Sequence, residues 1–149
     1  DNGIAKMKLN TWEQGVLEEE FARPDFVCWL RNPDRKLWSL CLPYEMESQT
    51  KGFYPDFIIV RSDPISGYAI DILEPHGDDY KDNLAKAKSL AKYVKDEPRI
   101  RRVQMIRKLH GKFVRLDFSD SKVRAKVEQV ITSDDFDKIF QNYGFTETK

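Results

Sequence analysis

The spacing of apolar residues changes period several times along the chain. Trp12, Val16, Leu17 and Phe21 recur at three and four, which predicts a helix from Thr11 to about Ala22, stopped by Pro24. Asn10 stands three before Glu13 and Thr11 three before Gln14, so either pair can cap its start. Phe26–Leu30 and Leu37–Leu42 are short runs of strand formers separated by Asn32-Pro33-Asp34, and they read as a hairpin. A polar stretch follows. Phe57–Val60, a turn over Asp63–Gly67 and Tyr68–Glu74 then form a second hairpin.

From Asp79 to Lys95 the period becomes helical. Tyr80, Leu84, Ala87, Leu90 or Ala91, and Val94 line one stripe that ends before Pro98. Arg102–Arg107 and Lys112–Phe118 alternate as strands. Two helices follow, near 120–131 and 134–142, the last capped by Ser133 with Asp134 and Asp135 in its first turn. This order predicts one α/β domain with a mixed central sheet flanked by helices.

Composition narrows the classes. The 149 residues are 40% hydrophobic and 34% charged, which excludes collagen-like and disordered chains. The longest apolar run is Phe26–Leu30, too short to cross a bilayer, and the chain reads as cytoplasmic with no membrane partner. Cys28 and Cys41 form no Cys-x-x-Cys pair and read as two buried free thiols. Cysteine and histidine are too few for a zinc site, and no glycine-rich nucleotide loop is present. The chain begins at Asp1 rather than Met, which reads as a piece of a longer protein. Net charge is zero, yet residues 99–126 hold ten Lys or Arg against two acids. That tract is either a phosphate-binding face or a set of solvated strand and helix faces.

One constellation could do chemistry. Asp56 opens a strand behind Pro55, and Glu74 closes the strand paired with it. Antiparallel pairing puts both at the end of the hairpin opposite the Asp63–Gly67 turn. Two carboxylates brought together repel unless a hard cation lies between them, and Mg²⁺ takes such oxygen ligands. Strand alternation puts His76 on the face of Glu74 and Asp71 on the other, so Asp71 reads as structural. Beside the two carboxylates, His76 is expected to have a raised pKa.

These residues resemble the PD-(D/E)XK nuclease superfamily, whose Pro-Asp … Glu-x-Lys signature reads here Pro55-Asp56 … Glu74-Pro75-His76. Asn10-Thr11-Trp12-Glu13, Trp29-Leu30-Arg31-Asn32, Pro43-Tyr44, Phe53–Val60 and the helix with Lys86-Ala87-Lys88 and Tyr93 extend the likeness. Together they look like the C-terminal nuclease domain of type III restriction Res subunits and related DEAD/DEAH-box helicase proteins, over about residues 10–95. Residues 96–149 add nothing to the match.

The resemblance implies a restriction-endonuclease-like fold spanning 1–149, cut from a larger helicase or restriction-type protein. It implies a Mg²⁺-dependent (Mn²⁺ also suitable) DNA endonuclease. Asp56 and Glu74 would be metal ligands, Glu13 would complete the metal site, and His76 would stand in the lysine position. Glu13 reads equally as the capping-box partner of Asn10, and Glu20 is the next acid on its face. Lys86 or Lys88 would supply the cation that His76 does not. Lys86, Lys88 and Lys92 are the candidate nucleic-acid contacts; the stripe Lys81, Lys88, Lys92 and Lys95 reads as a solvated face or a phosphate track. Two other readings stand beside it: a catalytically inactive nucleic-acid-binding domain of the same fold, and a structural or protein-interaction domain attached to a helicase.

Overall fold

A computed structural model of the chain describes residues 8–77, 81–97 and 99–147. The elements run α1 (Thr11–Phe21), β1 (Phe26–Arg31), β2 (Leu42–Met46), β3 (Gln49–Phe53), β4 (Phe57–Asp63), β5 (Gly67–Pro75), α2 (Asn83–Asp96), β6 (Ile100–Leu109), β7 (Lys112–Asp117), α3 (Ser121–Gln129) and α4 (Ser133–Tyr143). Five strands form one mixed sheet in the order β1-β4-β5-β6-β7. All neighbours are antiparallel except β5 and β6, which α2 links as a parallel pair. The α/β architecture with helices on both faces agrees with the apolar pattern.

Each face has its own core. Val16 and Leu17 of α1 pack on Phe57, Ile59, Leu73 and Ile106. On the opposite face Ile72, Val103, Met105 and Leu116 meet Ala87 and Leu90 of α2, Val123 and Val127 of α3, and Phe136 and Phe140 of α4. Alternation along β5 and β6 sends neighbouring residues to opposite cores, so both strands read as continuous apolar runs.

The first hairpin differs from expectation. Phe26–Arg31 pairs with β4, and residues 37–41 form a loop rather than a strand. The polar stretch after it holds the β2–β3 hairpin instead, with Leu42, Tyr44 and Phe53 buried against the α2-side core. Its two-residue turn, Glu47-Ser48, has positive φ at both positions, the type I′ geometry usually announced by Asn-Gly. Thr132, not Ser133, caps α4, its hydroxyl accepting from the Asp135 N–H. Cys28 and Cys41 are free, as expected, but exposed rather than buried. The predicted start of α2 at Asp79 and Tyr80 lies outside the described residues. Among the described residues no helix is long and apolar enough to cross a membrane.

The basic tract divides between inward ion pairs and exposed lysines. Arg115 and Arg102 turn onto Glu20 and Asp71, while Arg107 pairs with Asp137. Lys108, Lys112, Lys122 and Lys126 of that tract remain exposed.

Candidate functional site

The β4–β5 register sets Phe57 opposite Leu73, and so carries Asp56 alongside Glu74. The Asp56 N–H donates to Glu74 Oε2 at 3.0 Å. This end of the sheet is also the carboxyl end of β5, where the chain leaves for the crossover to β6, a common position for ligand clefts in α/β sheets. Asn10, Thr11, Trp12 and Glu13 of α1 close the cleft from one side. Pro75, His76, Gly77 and Lys86 close it from the other, around about 610 Å³. Four predicted catalytic residues, Glu13, Asp56, Glu74 and His76, and one predicted nucleic-acid contact, Lys86, thus line a single cleft. Lys88 and Lys92 do not line it; Lys88, two residues beyond Lys86, is turned about 200° around the helix.

Burial dominates the electrostatics. Glu74, 7% exposed, is held with its pKa well above the usual carboxylate range by burial and then by the Asp56 charge. Asp56 is pushed up to about 6 by burial, against the pull of Arg31. His76 departs from expectation: burial, then the charges of Arg107 and Lys86, lower it to about 3, so the imidazole is neutral. Among the described residues its two ring nitrogens are buried without hydrogen-bond partners. The expectation of a raised value counted the acids ahead of it and missed the cations that the fold brings beside it.

Arg31 is the residue that sequence reasoning passed over. It lies at the end of β1, registered against Phe57, with its guanidinium 5.0 Å above that ring. Its Nη1 is 2.6 Å from Glu13 Oε1 and its Nη2 is 2.9 Å from Asp56 Oδ1. The other Glu13 oxygen accepts from the Asn10 N–H at 2.9 Å, while Asn10 Oδ1 accepts from the Trp12 and Glu13 N–H groups. Glu13 therefore closes the capping box and the Arg31 pair at once. The likeness included Arg31 within Trp29-Leu30-Arg31-Asn32 but gave it no role, because its importance depends on β1 pairing with β4.

Lys86 Nζ is 3.2 Å from Asp82 Oδ2 and 5.6 Å from the Phe53 ring centroid. Glu20 leaves the cleft altogether. It is fully buried, bonding Arg115 at 2.5 Å and also Arg61. Asp71 faces away from Glu74 as parity predicted, bonding Arg61 and, at 2.7 Å, Arg102. A larger cleft of about 880 Å³ lies between α1, Asp25 and Phe113. Three of its acids, Glu19, Asp25 and Glu147, already face Arg115, Arg61 and Arg23 at 2.8–2.9 Å, and the fourth, Glu18, accepts from Gln14.

Among the described residues no group of three or more His, Cys, Asp or Glu is gathered for a metal ion. Two carboxylates do converge, Asp56 and Glu74, and the Asp56 charge helps to raise the Glu74 pKa. An oxygen pair raised by burial and mutual repulsion fits Mg²⁺, which commonly binds one or two carboxylates and fills its octahedron with waters and phosphate oxygens.

Fold and cleft together define an α/β protein with two neighbouring carboxylates of raised pKa at the carboxyl end of β5 in a mixed sheet. The chain belongs to the YagJ family, which it matches over residues 1–148. Protein YagJ of Escherichia coli (strain K12) is 29% identical over 144 residues, covering 95% of this chain and 58% of that protein. The chain therefore spans little more than half the length of that curated relative. No solved structure matches it.

Proposed function

We propose that this chain is a divalent-metal-dependent DNA endonuclease domain with a restriction-endonuclease-like fold of the PD-(D/E)XK type. The observation that carries the proposal is the Asp56–Glu74 pair, joined through the Asp56 N–H and lifted in pKa by burial. Asp56 and Glu74 would hold Mg²⁺ or Mn²⁺. Such a metal offsets phosphodiester charge and acidifies a water when bound. Lys86, in the cleft wall, offers positive charge to a phosphate backbone. His76, neutral and unpartnered among the described residues, can accept a hydrogen bond from water but supplies no charge. The helicase- or restriction-type parent expected from the resemblance belongs to the same proposal; a Walker loop in the parent chain is its signature.

A second reading is favoured by the Arg31 bridge. A guanidinium bonding Glu13 and Asp56 occupies ground where a metal would act, and the lysine of the motif is absent. This reading is an inactive domain that binds nucleic acid. Titration calorimetry with Mg²⁺ and Mn²⁺, with and without DNA, separates the two. The nuclease reading expects metal binding, and DNA cleavage abolished by Glu74→Ala. Salt-dependent DNA binding without cleavage would select the second reading. Absence of metal binding under both conditions would overturn the first.

A further inference from the structure

The ten-residue connection from β1 to β2 presents two large apolar side chains to solvent. Leu37 is fully exposed and Trp38 is 61% exposed. They are the central residues of a tight turn, closed by the Ser39 N–H donating to the Lys36 carbonyl at 3.0 Å. The turn is held firmly. Ser39 Oγ donates to the Pro33 carbonyl at 2.5 Å. Asn32, only 2% exposed, donates through Nδ2 to the Leu40 and Pro55 carbonyls and accepts from the Leu40 N–H, each at 2.9 Å. Its own N–H donates to the Asp56 carbonyl at 2.9 Å. One leg of the loop is thus pinned through Asn32 to Pro55-Asp56, the segment that carries the candidate ligand, and the other leg is pinned to Asn32. Exposing a rigid Leu-Trp pair gains nothing for the fold, since neither side chain joins either core.

The flanking residues point to the occupant. Arg35 and Lys36, both exposed, precede the turn; Asp34 is the one acid beside them. Arg35 adopts φ 58, which bends the chain outward ahead of Lys36. Cations next to an exposed indole suit a polyanion carrying flat apolar rings. Indoles stack on bases of any sequence, and bases in a duplex are already stacked.

We propose that the Lys36–Ser39 turn is a base-stacking element that holds unpaired nucleotides of a single-stranded nucleic acid beside the Asp56 cleft. The inference rests on the nucleic-acid part of the reading above and not on metal or turnover. It makes the preferred substrate a single strand or an unpaired end, with Lys36 and Arg35 on the phosphates and Trp38 on a base.

Fluorescence anisotropy with a labelled oligo-dT and a blunt duplex, in chelator at low salt, tests it. Trp38→Ala is expected to weaken single-strand binding at least about tenfold, with duplex binding and melting temperature unchanged. Trp38→Phe should retain most of the affinity. Trp38-dependent binding without metal-dependent cleavage would uphold this inference while the nuclease reading failed. Single-strand binding that is absent in the parent, or that matches the parent in Trp38→Ala, would overturn it whatever the metal does. A change of oligomeric state in Trp38→Ala with unaltered oligonucleotide binding would assign the turn to a second copy, and would also overturn it.

Discussion

The guanidinium of Arg31 touches Glu13 on one side and Asp56 on the other, and both contacts are shorter than 3 Å. It is the cation that lowers the Asp56 pKa most, with Lys86 adding a smaller pull. Arg31→Met is expected to lower the melting temperature in chelator, because two acids lose their partner. The same change should enlarge the rise in melting temperature produced by Mg²⁺, since the ligand no longer competes with a fixed cation. Thermal scans with and without Mg²⁺ check both signs. Glu74 makes a pH prediction. A carboxyl whose folded pKa is raised adds stability below its unfolded pKa and loses it as pH rises through the folded value. For Asp56 that window runs from 3.8 to about 6, and Glu74 acts in the same direction. Glu74→Gln keeps an acceptor for the Asp56 N–H and removes the charge. In chelator it should stabilise the protein more at pH 8 than at pH 4. Urea unfolding at the two values reads this directly. His76 works in the opposite sense, its contribution being lost as pH falls from 6.5 through about 3.

Helix α1 and the β2–β3 hairpin show how much of an element is visible locally. The inward face of α1 is Glu13, Val16, Leu17 and Glu20, so acids flank the expected apolar pair, while Phe21 at the predicted end of the stripe is 48% exposed. Hydrophobic spacing located the helix, and its capping box was legible in Asn10 and Glu13. The burial of two carboxylates was not, because it depends on arginines from β1, β4 and β7. The hairpin was hidden differently. Leu42 and Tyr44 alternate with polar residues as a half-buried strand should, but Glu47-Ser48 is not a turn dipeptide by composition. Both residues pay for positive φ, 53° and 60°. Ser48→Gly should therefore stabilise the protein by about 0.5–1 kcal/mol, the left-handed penalty being partly offset by glycine's greater unfolded entropy. A shift of the urea midpoint to higher concentration with unchanged slope would bear this out.

Across the whole molecule, the α1 side of the sheet is an ionic layer as well as a core. Arg61 and Arg115 are fully buried, and Glu20 bonds both. Asp71 bonds Arg61 and Arg102, and Gln104 Oε1 accepts from Arg115 at 3.0 Å. The network ties α1 to β4, β5, β6 and β7, and so fixes the helix that walls the cleft. Glu20→Gln would leave two buried guanidiniums undercompensated. Breaking such a pair typically costs about 3–5 kcal/mol, a large share of a domain's usual 5–15 kcal/mol. Equilibrium urea unfolding should show that loss, and the variant's cleft should bind Mg²⁺ more weakly even though Glu20 lies outside it.

The sequence by itself determined what repeats or alternates. It placed all seven segments expected to be strands or helices after residue 56, the Asp63–Gly67 turn, and the convergence of Asp56 with Glu74, which follows from hairpin pairing alone. It also separated Asp71 from Glu74 by parity. Only the tertiary structure decided which strand accompanies β1, and with that the place of Arg31 between Glu13 and Asp56. It decided that Glu20 serves Arg61 and Arg115 rather than the cleft, and that His76 is neutral beside Arg107 and Lys86. It turned Arg102, Arg107 and Arg115 inward as well. The physical reason is one of range. Periodicity and turn chemistry act over a few residues, whereas a charge answers to every partner and every layer of protein within several ångströms, from whichever element supplies them.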